Sequence, residues 1–204
     1  EYVVVHRSQV VKLPSDMPLD SACLLACGVA TGFGAVAWRA KVEAGTSCAI
    51  VGVGGVGINS VQAAFLAGAY PIIAVDVNPN KLEAAKAFGA SHTVNSKEID
   101  AVDAVKQLTK GRGADYVFVT VGSAAAMSQS IMMSAACGTI VWVGIPDVSE
   151  TVEFLPFMLL KEERTLAGCW MGSTSLQTDI PKLVKLYQEG KLKLDELITD
   201  RYPL

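Results

Sequence analysis

The 204-residue sequence lacks the features that mark several common classes of protein. Only 18% of its residues are charged, and 17 basic residues stand against 20 acidic ones, a formal net charge of −3. This balance offers no electrostatic footprint for a phosphodiester chain, so we expect no nucleic-acid partner. Glycine, proline or charged residues interrupt every apolar run before the roughly 18 residues that a membrane span needs, so we expect no membrane partner either.

The chain lacks a disulfide pattern, and we see no targeting segment at its start. The five cysteines are odd in number and scattered, which is atypical of a disulfide framework and favours a reducing compartment. The first seven residues do not form a secretory signal, so we predict a cytoplasmic protein. The chain starts within a β-rich run and stops without a terminal helix pattern, and we therefore expect it to be a piece of a longer protein.

What the sequence does contain is a large apolar fraction, 51%, which is enough for one sizeable core. It also has 18 glycines, which suggest many backbone positions with special geometry. From residue 46 onward, β-branched runs alternate with helical patterns, which is typical of successive βαβ units. The predicted fold class is therefore α/β, a doubly wound parallel sheet of the Rossmann type, with about six strands and helices on both faces. The predicted strands are residues 47–52, 72–76, 92–94, 116–121, 139–143 and 165–170, and the predicted helices are residues 57–67, 81–88, 126–136 and 179–189.

The first 45 residues follow a different pattern. Residues 3–5 and 10–13 resemble strand ends, and residues 19–40 predict a helix that Gly28, Gly32 and Gly34 interrupt. Such glycine spacing indicates a bend or close helix contact. We interpret residues 1–45 as a hinge segment and residues 46–204 as the Rossmann domain, truncated at both ends.

A glycine-rich loop joins the first predicted strand to its helix. Residues 52–57 read Gly-Val-Gly-Gly-Val-Gly and satisfy the G-x-G-x-x-G pattern of dinucleotide-binding folds. Gly52 would allow the sharp turn, Gly54 the close approach of backbone to a pyrophosphate, and Gly57 tight packing of helix on strand. The free N–H groups at the helix start favour an anion, which makes Gly55 and Val56 binding candidates as well. A tight βα turn that binds nothing is the alternative interpretation.

A carboxylate stands where such a fold needs an acceptor for the adenosine ribose. Asp76 ends the second predicted strand, 19 positions after Gly57, and can accept hydrogen bonds from both ribose hydroxyls. It would repel a 2′-phosphate, and the next residues, Val77 and Asn78, offer no arginine, so the cofactor predicted is NAD. A solvent-exposed Asp at a strand end is the alternative.

Further candidates follow from the same frame. Lys81 can donate to a ribose hydroxyl, although a surface lysine near a helix start is an equally good interpretation. Two more strands end at the carboxyl edge of the predicted sheet, where open α/β folds bind ligands. Their last residues are predicted to face ribose or nicotinamide, unless their glycines only make turns; they are Val121, Gly122, Val143, Gly144 and Ile145.

The sequence resembles the medium-chain zinc-dependent alcohol dehydrogenases. The most specific element is the C-G-x-x-T-G-x-G run of residues 27–34. The likeness continues through residues 40–46, the GVGGVG loop, residues 75–81, residues 88–90 and residues 197–199, and so covers essentially the whole chain. It is greatest to the branch that contains class III and related bacterial enzymes.

This resemblance implies roles for two residues near the N-terminus. Cys27 would be one of three ligands of a catalytic zinc, the other two lying in a catalytic domain that this chain lacks, and Thr31 would lie beside the nicotinamide. Zinc would polarise the oxygen of an alcohol or aldehyde substrate while hydride passes to or from NAD. The family also pairs edge strands of two coenzyme domains, which implies a homodimer or a dimer of dimers through residues 165–170.

Other interpretations of the same residues stay open. Cys27 can be an apolar core cysteine, and Cys23, one helical turn earlier, is a weak metal signal without further ligands. His6 and His92 do not lie at ligand spacing from Cys27 and are interpreted as structural. A non-catalytic module that senses NAD(H) would need the loop and Asp76 but no thiolate beside the nicotinamide. A zinc-free medium-chain reductase would share the fold but would tend to use NADPH.

Overall fold

A single parallel sheet of six strands organises the chain, whose computed structural model describes residues 2–202. The strands are β1 (Cys48–Val51), β2 (Ile72–Asp76), β3 (His92–Asn95), β4 (Ala114–Val119), β5 (Ser134–Trp142) and β6 (Thr165–Gly168). Their order across the sheet is β3-β2-β1-β4-β5-β6, with every neighbouring pair parallel. This is the order of a doubly wound dinucleotide-binding fold, and it confirms the predicted fold class.

Helices cover both faces of this sheet. They are α1 (Leu19–Ala22), α2 (Gly28–Gly34), α3 (Gly57–Leu66), α4 (Pro79–Ala87), α5 (Ala101–Leu108), α6 (Ala124–Met133), α7 (Phe157–Lys161) and α8 (Leu176–Gln188). Side chains of β1 alternate between two cores. Ile50 packs in the cluster that includes Val29 of α2 and Leu183 of α8, whereas Val51 packs in the cluster that includes Val105 of α5 and Ile131 of α6. Because both faces are covered, all residues of β1 and β2 are buried, as expected for a parallel sheet.

The strand ends predicted near the N-terminus are wrong. Residues 3–5 and 10–13 form no strand, and the helical turn between them, Arg7–Gln9, is a short 3₁₀ segment. Val3 and Val4 are 82% and 99% exposed. The β-branched composition of these residues predicted a strand. Extended backbone forms a strand only where a neighbouring strand pairs with it, and the six-strand sheet within residues 2–202 does not include them.

The predicted helix over residues 19–40 is broken at Cys27. After α1 the chain forms a 3₁₀ turn (Cys23–Ala26), and at Cys27 the backbone leaves the helical region with φ −135° and ψ −78°. Helix α2 then starts, and it continues as a π-helical stretch over Ala35–Ala40. Within residues 2–202 no single helix could cross a membrane; by length and composition alone, the bent pair Leu19–Ala26 and Gly28–Ala40 passes that test, with an angle of 53°.

The structure adds elements between the predicted ones and shifts one boundary. Helices α5 and α7, eight and five residues long, were not predicted, although α5 places the buried Ala101, Ala104 and Val105 at helical spacing. The predicted helix over residues 126–136 ends at Met133, and β5 begins at once, five residues before the predicted start. The pairing of β4 with β5 shifts register between Ala114 and Tyr116, and Cys137 has a φ of +58°, so this part of β5 lacks a regular strand pattern.

Candidate functional site

Three cavities follow one another along the carboxyl ends of the central strands. The Asp76 cavity, about 250 Å³, is lined by Asp76, Val77, Ser96, Val121, Ala126 and Gln129, among others. The loop cavity, about 540 Å³, includes Cys23, Cys27, Gly54, Gly55, Lys81 and Glu196. The Thr31 cavity, about 250 Å³, includes Cys27, Thr31, Val143, Ile145, Trp170 and Met171. Residues of the GVGGVG loop line all three: Gly52 the first, Gly54 and Gly55 the second, and Val56 the third.

The turn out of β1 depends on two glycines. Gly52 has a φ of +85°, which favours glycine, and its N–H donates to the carbonyl of Val75 at 2.7 Å. A Cβ on Gly57 would collide with the carbonyl oxygen of Gly52 and lie 2.6 Å from Oγ1 of Thr120. The Thr120 hydroxyl itself donates to the Gly52 carbonyl. These contacts give Gly52 and Gly57 the structural roles that the sequence predicts, a sharp turn and close helix packing.

The start of α3 is open toward the loop cavity. No side chain caps this helix. None of the hydrogen bonds within residues 2–202 uses the backbone N–H of Gly55, Val56 or Gly57 as a donor to other backbone. A Cβ built on Gly55 would have nothing within 4 Å. Free N–H groups at a helix N-terminus, next to unobstructed space, form the geometry that binds phosphate groups.

Asp76 is held in one orientation by the backbone around it. Its carboxylate is mostly buried, and the residue is 8% exposed. One oxygen accepts the N–H of Val53 and the other accepts the N–H of Asn78, both at 2.9 Å. A carboxylate oxygen has two acceptor sites, so each can still accept a hydroxyl from the cavity. The carboxylate is therefore ordered before any ligand arrives.

Lys81 points to the loop rather than to the Asp76 cavity. Its Nζ lies 3.9 Å from the position that a Cβ on Gly54 would occupy, and it lines the loop cavity. It is the only cationic side chain among the described residues of that cavity, where Glu196 is the one acidic residue. The ammonium thus lies where it would add positive charge to the helix start.

The residues predicted to bind cofactor at the ends of β4 and β5 line different cavities. Val121 lines the Asp76 cavity, and residues 143–145 line the Thr31 cavity. Gly122 lines none of the three cavities; a Cβ there would collide with the carbonyl of Ile145, so this glycine allows two chain turns to pack closely. Sequence reasoning missed Ser96 and Gln129 in the Asp76 cavity. Ser96 directly follows β3, so the strand-end rule would have found it.

Cys27 lies at the junction of two cavities. The break in helical geometry at this residue leaves it exposed, and it lines both the loop cavity and the Thr31 cavity. Cys169 also lines the Thr31 cavity, but burial raises the pKa of its thiol, so it stays a neutral apolar group. Cys23 is exposed, and its Sγ donates to the carbonyl of Asp20 at 3.0 Å.

These residues do not form a complete metal site by themselves. Among residues 2–202 there is no group of three or more histidine, cysteine, aspartate or glutamate side chains that could hold a metal ion. A catalytic zinc takes three protein ligands. Cys27 therefore fits the part of one zinc ligand whose partners would have to come from outside residues 2–202.

Comparison with known proteins identifies the family. Residues 55–189 match the model of the zinc-binding dehydrogenase family. The chain is 38% identical over 206 aligned positions to the probable S-(hydroxymethyl)glutathione dehydrogenase 1 of Schizosaccharomyces pombe, an alignment that covers 100% of this chain and 54% of the relative. The chain thus spans about half the length of the curated relative it matches.

Solved structures agree with this match. The benzyl alcohol dehydrogenase of Acinetobacter calcoaceticus superposes with a TM-score of 0.88 at 38% identity, over 91% of this chain and 51% of that one. A zinc-binding dehydrogenase of Sinorhizobium meliloti, solved bound to NADP, gives 0.77 at 28% identity, over 86% and 50%. The resemblance to the medium-chain zinc alcohol dehydrogenases is confirmed, and this chain belongs to the zinc-binding dehydrogenase family.

Proposed function

We propose that this chain binds NAD(H) and is the coenzyme half of a zinc-dependent alcohol dehydrogenase, which moves hydride between an alcohol or aldehyde and NAD(H). The observation that supports this best is the placement of Cys27. A single glycine-rich loop runs past three cavities, and the last two share the exposed thiol of Cys27. A cofactor laid along this edge would bring its far end to the thiol.

The Asp76 cavity suits the adenosine part of the cofactor. The fixed carboxylate of Asp76 would accept the ribose hydroxyls, and the apolar side chains of Val77, Val121 and Ala126 offer surfaces for the adenine ring. The free N–H groups at the start of α3, with Lys81 above them, would hold the pyrophosphate in the loop cavity.

The Thr31 cavity suits the nicotinamide. Thr31 is nearly buried at 8% exposure, and its Oγ1 lies 3.9 Å from Sδ of Met171. Val143 and Ile145, at the end of β5, form another wall. The lining is mainly apolar, and apolar surroundings would protect a hydride transfer from competing proton chemistry.

Cys27 would be this chain's ligand to the catalytic zinc. When bound, zinc acts as a Lewis acid on the oxygen of the alcohol or aldehyde. We propose that residues 1–45 lead into a catalytic domain that supplies the remaining ligands, and that residues 46–204 are the coenzyme domain. An exposed thiol beside the Thr31 cavity favours a zinc enzyme over a module that only senses NAD(H).

The coenzyme proposal is tested by fluorescence titration of the chain with NADH and with NADPH. We expect NADH to bind at least about tenfold more tightly, because a 2′-phosphate would lie against the ordered carboxylate of Asp76. Since one structural neighbour was solved with NADP, the comparison is decisive. Equal affinities would overturn the assignment of NAD, and absence of binding by either would overturn the proposed site.

The zinc proposal is tested in the full-length protein by metal analysis of Cys27→Ala and of the matched control Cys23→Ala. Both cysteines are exposed and line the loop cavity, but only Cys27 also reaches the Thr31 cavity. We expect Cys27→Ala to lose one zinc per chain and alcohol oxidation, while Cys23→Ala keeps both. Retention of zinc and activity in Cys27→Ala would refute the ligand assignment.

We further propose a dimer formed through the β6 edge, in a cytoplasmic enzyme. Strand β6 pairs only with β5 within residues 2–202, which leaves its outer edge without a partner strand. Phe157 and Leu160 of α7, the helix just before it, are 64% and 76% exposed. An unpaired edge beside apolar side chains favours pairing with a second copy. Sedimentation that finds only monomers at micromolar concentration would contradict this proposal.

A further inference from the structure

One peptide group of the glycine-rich loop is held at both ends by side chains. The carbonyl of Gly52 accepts a hydrogen bond from the hydroxyl of Thr120. The N–H of the same peptide group, which belongs to Val53, donates to Oδ2 of Asp76 at 2.9 Å. The group is planar and trans, so its C=O and N–H point in opposite directions. The bond from Thr120 therefore turns the N–H toward Asp76.

The two side chains come from strands on opposite sides of β1. Asp76 ends β2, and Thr120 directly follows β4. The backbone N–H of Thr120 donates to the carbonyl of Val51 at 2.9 Å, so the pairing of β1 with β4 sets the position of this residue. A Cβ on Gly57 would lie 2.6 Å from Thr120 Oγ1, so the last glycine of the loop leaves the space that the hydroxyl occupies.

Little else orients this peptide group. Gly52 has a φ of +85° and no side chain, so side-chain clashes do not oppose rotation of the peptide plane. No other backbone N–H group within residues 2–202 donates to the Gly52 carbonyl. Removal of the Thr120 hydroxyl would leave that carbonyl without its partner and allow the peptide to rotate. The N–H of Val53 would then leave Asp76, whose carboxylate would lose one of its two backbone donors.

Thr120 and Asp76 lie in different cavities. Thr120 lines the Thr31 cavity, Asp76 lines the Asp76 cavity, and neither residue lines the cavity of the other. A change at Thr120 can still reach the Asp76 cavity through the Gly52–Val53 peptide, because that peptide binds both side chains. This peptide group therefore connects the two ends of the candidate site.

We propose that Thr120 is a positioning residue for the adenosine end of the cofactor. Its hydroxyl orients the Gly52–Val53 peptide, and this peptide holds the Asp76 carboxylate in place for the ribose hydroxyls. This role rests on the proposed function, because it takes the Asp76 cavity as the adenosine site. It differs from a direct contact, which would affect only the part of the cofactor that lies next to Thr120.

The experiment measures the affinity of the full-length protein for NADH by fluorescence and for ADP by displacement of NADH. ADP contains the adenosine ribose but no nicotinamide, so it would occupy the Asp76 cavity without entering the Thr31 cavity. Thr120→Ala should lower both affinities by about fivefold, the effect of one lost hydrogen bond. Thr120→Ser keeps the hydroxyl and should bind both ligands within about twofold of wild type. Thr120→Cys, whose thiol is a weak donor, should fall between them and preserves the test if the alanine variant does not fold.

Thr109→Ala is the matched control. Thr109 directly follows α5 and is buried, and its hydroxyl donates to the carbonyl of Val105 at 2.7 Å. It lines none of the three cavities. Loss of this hydroxyl should therefore lower the free energy of unfolding but leave both affinities unchanged.

Hydrogen exchange adds a readout that a general loss of stability would not reproduce. In Thr120→Ala the N–H of Val53 should exchange about tenfold faster, whereas the N–H of Gly52, which donates to the carbonyl of Val75, should keep its rate. Unchanged ADP affinity in Thr120→Ala, or an equal loss in Thr109→Ala, would overturn the positioning role while leaving the proposed function intact. A wild-type protein that binds neither NADH nor ADP would overturn both.

Discussion

The two ends of the candidate site are built in different ways. At the Asp76 end, the turn, the helix start and the carboxylate come from one stretch of 25 residues, and backbone N–H groups of the same stretch and of Asn78 hold the carboxylate. At the Thr31 end, the wall is assembled from segments more than 100 residues apart, the candidate metal ligand is single, and Trp170 is exposed.

This difference indicates how the work is divided. On the proposed function, the Asp76 end would be complete within this chain and should bind its share of the cofactor without help. The Thr31 end would supply one zinc ligand and one side of a substrate pocket, and it would need other residues to become reactive. Five substitutions test the Asp76 end and a contact away from it, from the largest expected effect to the smallest.

Gly57→Ala should have the largest effect, because its methyl group would collide with the Gly52 carbonyl and the Thr120 hydroxyl. Overpacking at such a contact costs about 3 kcal/mol of unfolding free energy, or roughly 10 °C in Tm for a chain of this size. NADH binding should be lost with the loop geometry. Calorimetry and fluorescence titration measure the two effects.

Gly55→Ala is the matched variant in the same loop. Its methyl group would touch nothing in the protein, so stability should change by less than about 0.5 kcal/mol. It would occupy the space assigned to the pyrophosphate, and NADH affinity should fall by at least about tenfold. If Gly55→Ala binds NADH normally, the loop is a turn without a ligand.

Asp76→Asn should come next. Hydrogen bonds from hydroxyls to a carboxylate are worth about 1.5–3 kcal/mol, so NADH affinity should fall by about 10- to 100-fold. NADPH affinity should fall much less, because the repulsion of its 2′-phosphate is removed. The ratio of the two dissociation constants corrects for any general loss of folded protein. An unchanged ratio would show that Asp76 does not select the cofactor.

Asp115→Asn should weaken the sheet at the amino-terminal ends of its central strands, away from the candidate site, without affecting cofactor binding. The carboxylate of Asp115 accepts hydrogen bonds from the N–H and the hydroxyl of Ser47, at 2.8 and 2.6 Å. These bonds connect the starts of β1 and β4. Partial burial would raise the pKa of Asp115, but these bonds and Arg112 outweigh it and hold the pKa below its usual value. At pH 7 the variant should lose about 1 kcal/mol in urea unfolding.

The pH dependence of that loss has a defined sign. The pKa of Asp115 is lower in the folded state than in the unfolded state. The stability that its carboxylate contributes is therefore fully present above the unfolded-state pKa of about 4 and is lost as the pH falls through the folded-state pKa. The gap between wild type and Asp115→Asn should therefore shrink at pH 3. A gap that stays constant from pH 7 to pH 3 would mean that the carboxylate charge contributes nothing.

Lys81→Ala should have the smallest effect, about a threefold loss of NADH affinity at low salt. The loss should fade at high ionic strength, since an exposed ammonium is screened. Lys86→Ala, on the same helix but paired with Glu83 at 2.6 Å, is the control and should bind NADH normally. If both substitutions lowered NADH affinity equally, Lys81 would act only through the net surface charge and not through a contact in the loop cavity.

Sequence reasoning named the contiguous residues of the candidate site and missed Ser96 and Gln129 in the lining of the Asp76 cavity. Gly52, Gly57 and Asp76 were predictable because their roles depend on the backbone of one βαβ unit. Gln129 was not, because it lies in the middle of α6, where the strand-end rule does not apply and the sequence does not show which side of the helix lines a cavity. The strands proposed near the N-terminus failed because composition alone cannot show whether a pairing strand exists.

By itself, the sequence determined the alternation of strands and helices, the strand-to-helix turn at Gly52 and the carboxylate at Asp76. These follow from local rules of periodicity, backbone freedom and charge. Only the tertiary structure decided that the helix breaks at Cys27 and that its thiol lies between two cavities. It also packed the turn that follows Trp170 against α2, where the hydroxyl of Thr174 donates to the carbonyl of Ala30. Contacts across 144 residues depend on how the layers pack, which no local pattern specifies.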